Sequence, residues 1–191
     1  SYTDQMRQIR NDFIGGQYQE ALKKIESSPL KESNNNRLLY AMERSMVYDR
    51  MGDFKRSQSL LIEADKIADE LFTVSVSKTA ASFLLSDTVS DYEGEDYEKI
   101  AIHTILALSF LEQNKLKQAR VEAKKINTKL YEITQKYDEK YANYKSDAFA
   151  LFLAALIYET QQNWDDAIID YKKALKLYES SFNRYVVGGV P

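Results

Sequence analysis

Histidine, cysteine and clustered carboxylates are the side chains most often recruited for catalysis or metal binding, and this chain uses them sparingly. It has one histidine, His103, and no cysteine. Any Ser/His/Asp relay must therefore run through His103. Disulfides, thiolate nucleophiles and cysteine metal sites are excluded. His103 stands on one apolar stripe with Leu106 and Ala107, so a partly buried structural role is expected, with partner contact or chemistry as the alternative. Zinc normally recruits several histidines or cysteines, so neither a metal nor a cofactor is expected.

Asp91, Glu93, Glu95, Asp96 and Glu98 place five carboxylates at the start of an apolar helix. A divalent cation or a basic partner could use them. Their spacing does not match a twelve-residue calcium loop. Acids at a helix start complement its positive end by about 0.3–1 kcal/mol each, and that is the expected role. Gly94 is expected to permit a tight turn there. Ser75 and Lys78 reproduce a Ser-x-x-Lys spacing, but the Ser-Asp-Asn and Lys-Thr-Gly elements that accompany it in penicillin-recognising enzymes are missing. No phosphate-cradling glycine loop occurs either. The residues do not assemble a nucleophile, a base and an oxyanion site, so a non-enzymatic protein is expected.

The elements that would carry any site are helical. With 2 prolines and 6 glycines in 191 residues, 44% hydrophobic and 29% charged, the chain has room for long helices and a full core. A net charge of −3 and scattered lysine doublets (Lys23-Lys24, Lys124-Lys125, Lys172-Lys173) argue against a nucleic-acid partner. The longest apolar stretch, Ala148 to Tyr158, falls short of the roughly 20 residues that span a bilayer.

Four times a large apolar residue is followed three positions later by a small one: Tyr18/Ala21, Phe54/Ser57, Leu116/Ala119 and Trp164/Ala167. Each pair follows a turn: Gly15-Gly16-Gln17, Gly52-Asp53, Gln113-Asn114-Lys115 and Gln162-Asn163. The columns Leu38, Ala41, Ser45, Tyr48 and Leu151, Ala154, Ala155, Tyr158 precede two of these turns. The pattern resembles the tetratricopeptide repeat (TPR), a helical hairpin of about 34 residues. It implies an all-α, TPR-like right-handed superhelix of about four antiparallel helix pairs, in a single domain over 1–191. The repeats fall at about 2–35, 38–71, 100–130 and 148–180. Insertions lie at about 72–99 and 128–145, adding about 28 and about 14 residues to the 34-residue unit. Val74, Val76, Ala80, Ala81, Phe83, Leu84 and Leu85 suggest an extra helix in the first, followed by a loop. The second is expected to extend the preceding helix, with Tyr137, Tyr141 and Tyr144 on one face. Ser146 is the expected N-cap of the next helix.

The string Tyr92-Glu93-Gly94-Glu95-Asp96-Tyr97-Glu98-Lys99, followed by Ala119-Arg120-Val121-Glu122-Ala123, is more particular. It resembles a group of bacterial TPR proteins that are often envelope lipoproteins, over roughly 91–177. The resemblance implies a periplasmic or outer-membrane-associated protein, with a cytoplasmic one as the alternative. Ser1 in place of methionine reads as a processed start, compatible with an upstream targeting segment or lipid anchor. The stretch 186–191 reads as the start of a further segment.

In TPR arrays the first helices line a concave face. Here that column reads Arg10, Met42, Met46, Arg50, Thr104, Leu108, Phe149, Phe152 and Leu156. It lacks the lysine and asparagine pattern with which chaperone-binding TPR proteins clamp a terminal carboxylate. Methionine and phenylalanine suit an amphipathic helix or apolar peptide of a protein partner; the groove being filled by the chain's own inserted helix, or by a further C-terminal segment, is the alternative. The expected function is a non-catalytic protein-interaction scaffold. A structural spacer or self-assembling module, with the tyrosine face as subunit contact, is the other reading.

Overall fold

In the computed structural model, residues 2–32, 34–79, 92–138 and 146–182 are described. They form paired antiparallel helices in two compact units, Ser1–Gly94 and Glu95–Pro191. The architecture is all-α and TPR-like, with an insertion after the second pair.

The first unit holds α1 (Tyr2–Ile14), α2 (Tyr18–Glu26), α3 (Arg37–Arg50) and α4 (Phe54–Thr79). Pro29–Glu32 adds one helical turn, and Asn34–Asn36 a 3-10 turn. The second unit holds α5 (Asp96–Glu112), α6 (Leu116–Lys136), α7 (Ala148–Thr160) and α8 (Trp164–Leu177), then a π-helical turn over Tyr178–Phe182.

All four hairpins close with the same turn. A residue in the left-handed region stands two positions before each second helix: Gly16 (φ 75°), Gly52 (φ 74°), Asn114 (φ 56°) and Gln162 (φ 58°). The next residue's amide reaches back to a carbonyl of the first helix, Asp53 to Tyr48 and Asn163 to Tyr158 both at 2.9 Å. These bonds satisfy carbonyls that a helix end leaves open. Small residues follow because two helices must approach closely there: Ala21, Ser57, Ala119 and Ala167 are all buried.

Within the first unit α1 packs on α2, α2 on α3 and α3 on α4. Ile9, Ala21, Ile25, Val47 and Tyr48 form one core cluster. Arg44 of α3 pairs with Glu26 of α2 at 3.3 Å and lies over the Tyr40 and Tyr48 rings. In the second unit α6 packs on both α5 and α7, and α8 closes on α7. One core cluster there centres on Ile126, Leu151 and Ala174, another on Ala123, Ala154 and Ile157.

The first insertion begins as a continuation of α4, which carries Val74 and Val76 to Thr79 without a break. Ala80, Ala81, Phe83, Leu84 and Leu85 lie outside the described residues. The second insertion extends the preceding helix as expected, but α6 stops at Lys136. Tyr137 is extended (φ −126°, ψ 157°) and is not part of a helical tyrosine face. Tyr141 and Tyr144 lie outside the described residues, as does 186–191. The N-cap of α7 is Asp147, not Ser146: its carboxylate accepts the Ala150 amide at 2.9 Å. A carboxylate is the better acceptor at a positive helix end.

Candidate functional site

Three kinds of residue stand out along the chain: a lone histidine, an acidic run and an apolar column on the first helices. The structure uses the first two internally. His103 is fully buried, and its Nδ1–H donates to Glu122 Oε2 at 2.8 Å. Glu122 is the acid of the Ala-Arg-Val-Glu-Ala string, so that string joins α6 to α5. Lys125 Nζ stands 4.0 Å from the same carboxylate.

The acidic run starts a helix. Gly94 takes φ 75°, and the Glu95 amide donates to the Glu98 carboxylate at 2.8 Å in a capping box. Asp96 accepts the Tyr137 hydroxyl at 2.6 Å and the Lys136 ammonium at 3.3 Å. Burial pushes the Asp96 carboxyl up, but these two donors outweigh it and hold it below the usual range. Asp91 lies outside the described residues. Ser75 and Lys78 fall within α4, with their side chains outside the described residues. Among the described residues, no group of three or more His, Asp or Glu side chains is placed to hold a metal ion.

A second polar group sits between α6, α7 and α8. Asp170 is buried, receives Asn127 Nδ2 at 2.5 Å and pairs with Lys173 at 3.3 Å. Burial raises its carboxyl, against the Asn127 and Lys173 donors. Burial also pushes the neighbouring Tyr158 phenol up to about 12, helped by Asp170 and Asp166. These groups pin helices together.

The apolar column divides between the two units. On α7, Phe149, Phe152 and Leu156 recur at i, i+3 and i+7 and remain 48%, 38% and 38% exposed. The Phe152 ring meets Tyr171 of α8 at 5.7 Å. Leu108 of α5 is 37% exposed. Thr104, one turn earlier, is buried, and its hydroxyl donates to the Ile100 carbonyl at 3.0 Å. Four large apolar side chains left half in water on a packed helix pair are a surface that other apolar groups can cover.

In the first unit, Arg10 and Met46 line one cleft between α1 and α3. Met42 is half-buried on α3, and exposed Arg50 holds Asp49 at 2.8 Å. Met6, Arg7, Phe13 and Glu43 share the cleft and stand outside the column that the repeat resemblance marks. The sequence carries a signal for α1: Met6, Arg10 and Phe13 recur at four- and three-residue spacing on one face.

Compared with known proteins, residues 148–181 match the tetratricopeptide repeat family. That segment spans α7 and α8, the pair with the exposed phenylalanine row. No curated protein and no solved structure gives a significant match. A TPR-like repeat motif is therefore present, and the fold it belongs to is one consistent with protein binding. No helix among the described residues is long and apolar enough to cross a membrane.

Proposed function

We propose that this chain is a non-catalytic scaffold that holds a peptide or helix of a protein partner on the faces of its first helices. The observation that carries the reading is the row Phe149, Phe152 and Leu156 on α7, joined by Leu108 on α5. Anchors spaced by three and four residues suit an amphipathic helix laid along them. Both helices are packed against their own pair, so the partner meets a preformed surface at low ordering cost. In the first unit, Met42 and Met46 on α3, with Arg10 on α1 and Arg50 on α3, are a separate face to which the same reading applies by itself; Thr104 is buried and not part of the surface. A bacterial envelope setting, periplasmic or outer-membrane-associated, goes with this reading on the resemblance of the 91–177 strings alone.

The double substitution Met46→Ala and Phe152→Ala tests it. Anchor residues carry about 2 kcal/mol or more each, so capture of the partner from the native source falls at least tenfold while helicity is retained. Undiminished capture by the folded double variant would remove these faces as the site.

A further inference from the structure

The two units differ in how successive pairs meet. In the second, the first helices α5 and α7 pack on one another. In the first, α1 and α3 make at most marginal contact, and α2 packs against both. The space left between α1 and α3 is an open cleft of about 570 Å³, within the size range of small-molecule pockets, about 300 to 1,000 Å³. Its floor is the buried Ile9, Ile25 and Val47, and its sides are Met6, Phe13 and Met46. Two methionines make such walls adaptable to different apolar shapes. The charged lining is uneven: Arg7 and Arg10 lie one turn apart on α1, against Glu43 from α3. Arg7 shares Asp4 at 3.5 Å, with both side chains more than half exposed, an ion pair of little strength.

We propose that this cleft binds a free single-chain carboxylate amphiphile, its tail between α1 and α3 and its head on the guanidinium groups of Arg7 and Arg10. Guanidinium pairs with carboxylate through parallel charge-assisted hydrogen bonds, and Met6 and Phe13 flank the two arginines along α1. The proposal goes beyond the protein-partner reading and stands without it.

Isothermal titration of the intact chain with hexanoate, octanoate and decanoate, and with decylamine as the head-group control, tests it. Affinity is expected to rise about fourfold per added methylene until the cleft is filled. Decanoate should bind at least tenfold tighter than decylamine. Arg7→Gln with Arg10→Gln, both at exposed positions, should abolish that preference and keep the chain-length dependence. Met46→Trp, which narrows the cleft at one wall, should weaken every ligand, whereas Phe152→Ala should change none. Equal binding of the acid and the amine, absence of saturable binding, or loss through Phe152→Ala but not the arginine variants would overturn the proposal. Failure of the partner-capture experiment would leave these results untouched.

Discussion

Exchanging the left-handed residues of the hairpin turns tests the repeat architecture quantitatively. At Gly52 (φ 74°) an added Cβ would have nothing within 4 Å, so Gly52→Ala changes the backbone cost alone. Holding an alanine in the left-handed region costs about 1–2 kcal/mol, and the loss of glycine's unfolded-state freedom returns about 0.4–1 kcal/mol. The net is a destabilisation of about 1 kcal/mol. At Gln162 (φ 58°) the side chain is exposed and the same account runs backwards. Gln162→Gly should stabilise by roughly 0.5–1 kcal/mol. Urea unfolding followed by circular dichroism reads both as midpoint shifts of opposite sign at constant slope. Each should move the transition of the unit that carries it. A neutral Gly52→Ala, or a destabilising Gln162→Gly, would refute the claim that all four hairpins share one turn.

Other substitutions probe the internal polar groups. His103→Ala opens a cavity and strips the buried Glu122 carboxylate of a hydrogen bond, so chemical unfolding should show a loss of at least about 2 kcal/mol. Glu122→Gln, which keeps an acceptor for His103, should cost less. Asp96 has a depressed folded pKa, so its contribution is fully present above the unfolded carboxylate value and disappears as pH falls through the folded one. Asp96→Asn should therefore flatten the acid limb of a stability–pH curve and leave its alkaline side unchanged. Tyr137→Phe, which removes the hydroxyl at 2.6 Å, should shift that limb toward higher pH.

The hairpins were legible in the sequence because turn chemistry and small-residue spacing are local. Gly16 and Gly52 announce a left-handed residue outright. Asn114 and Gln162 do not, and the phase of Ala119 and Ala167 places those turns instead. The burial of His103 followed from its stripe, while its partner Glu122, on a different helix, did not, because periodicity gives the face of a residue and not what stands opposite. Tyr137 shows the same limit. Its spacing to Tyr141 suggests a helical face, yet a hydroxyl bond to Asp96 fixes it beyond the helix end. Ser146 and Asp147 are adjacent acceptors, and the charge of the carboxylate at the positive helix end favours Asp147. The repeat resemblance puts Phe149, Phe152 and Leu156 in one column, and on α7 they stand partly exposed. The cleft between α1 and α3 was not legible in this way, since it depends on how far apart two helices stand.

The proposed function rests on a protein docking against the exposed face of α7. Installing a photoreactive amino acid at Phe152, and in a control at exposed Glu132 on α6, then irradiating in the native host, tests it most directly. A discrete protein adduct from position 152, missing from position 132, is the predicted result. No adduct at 152, or the same adduct pattern at both positions, would contradict it.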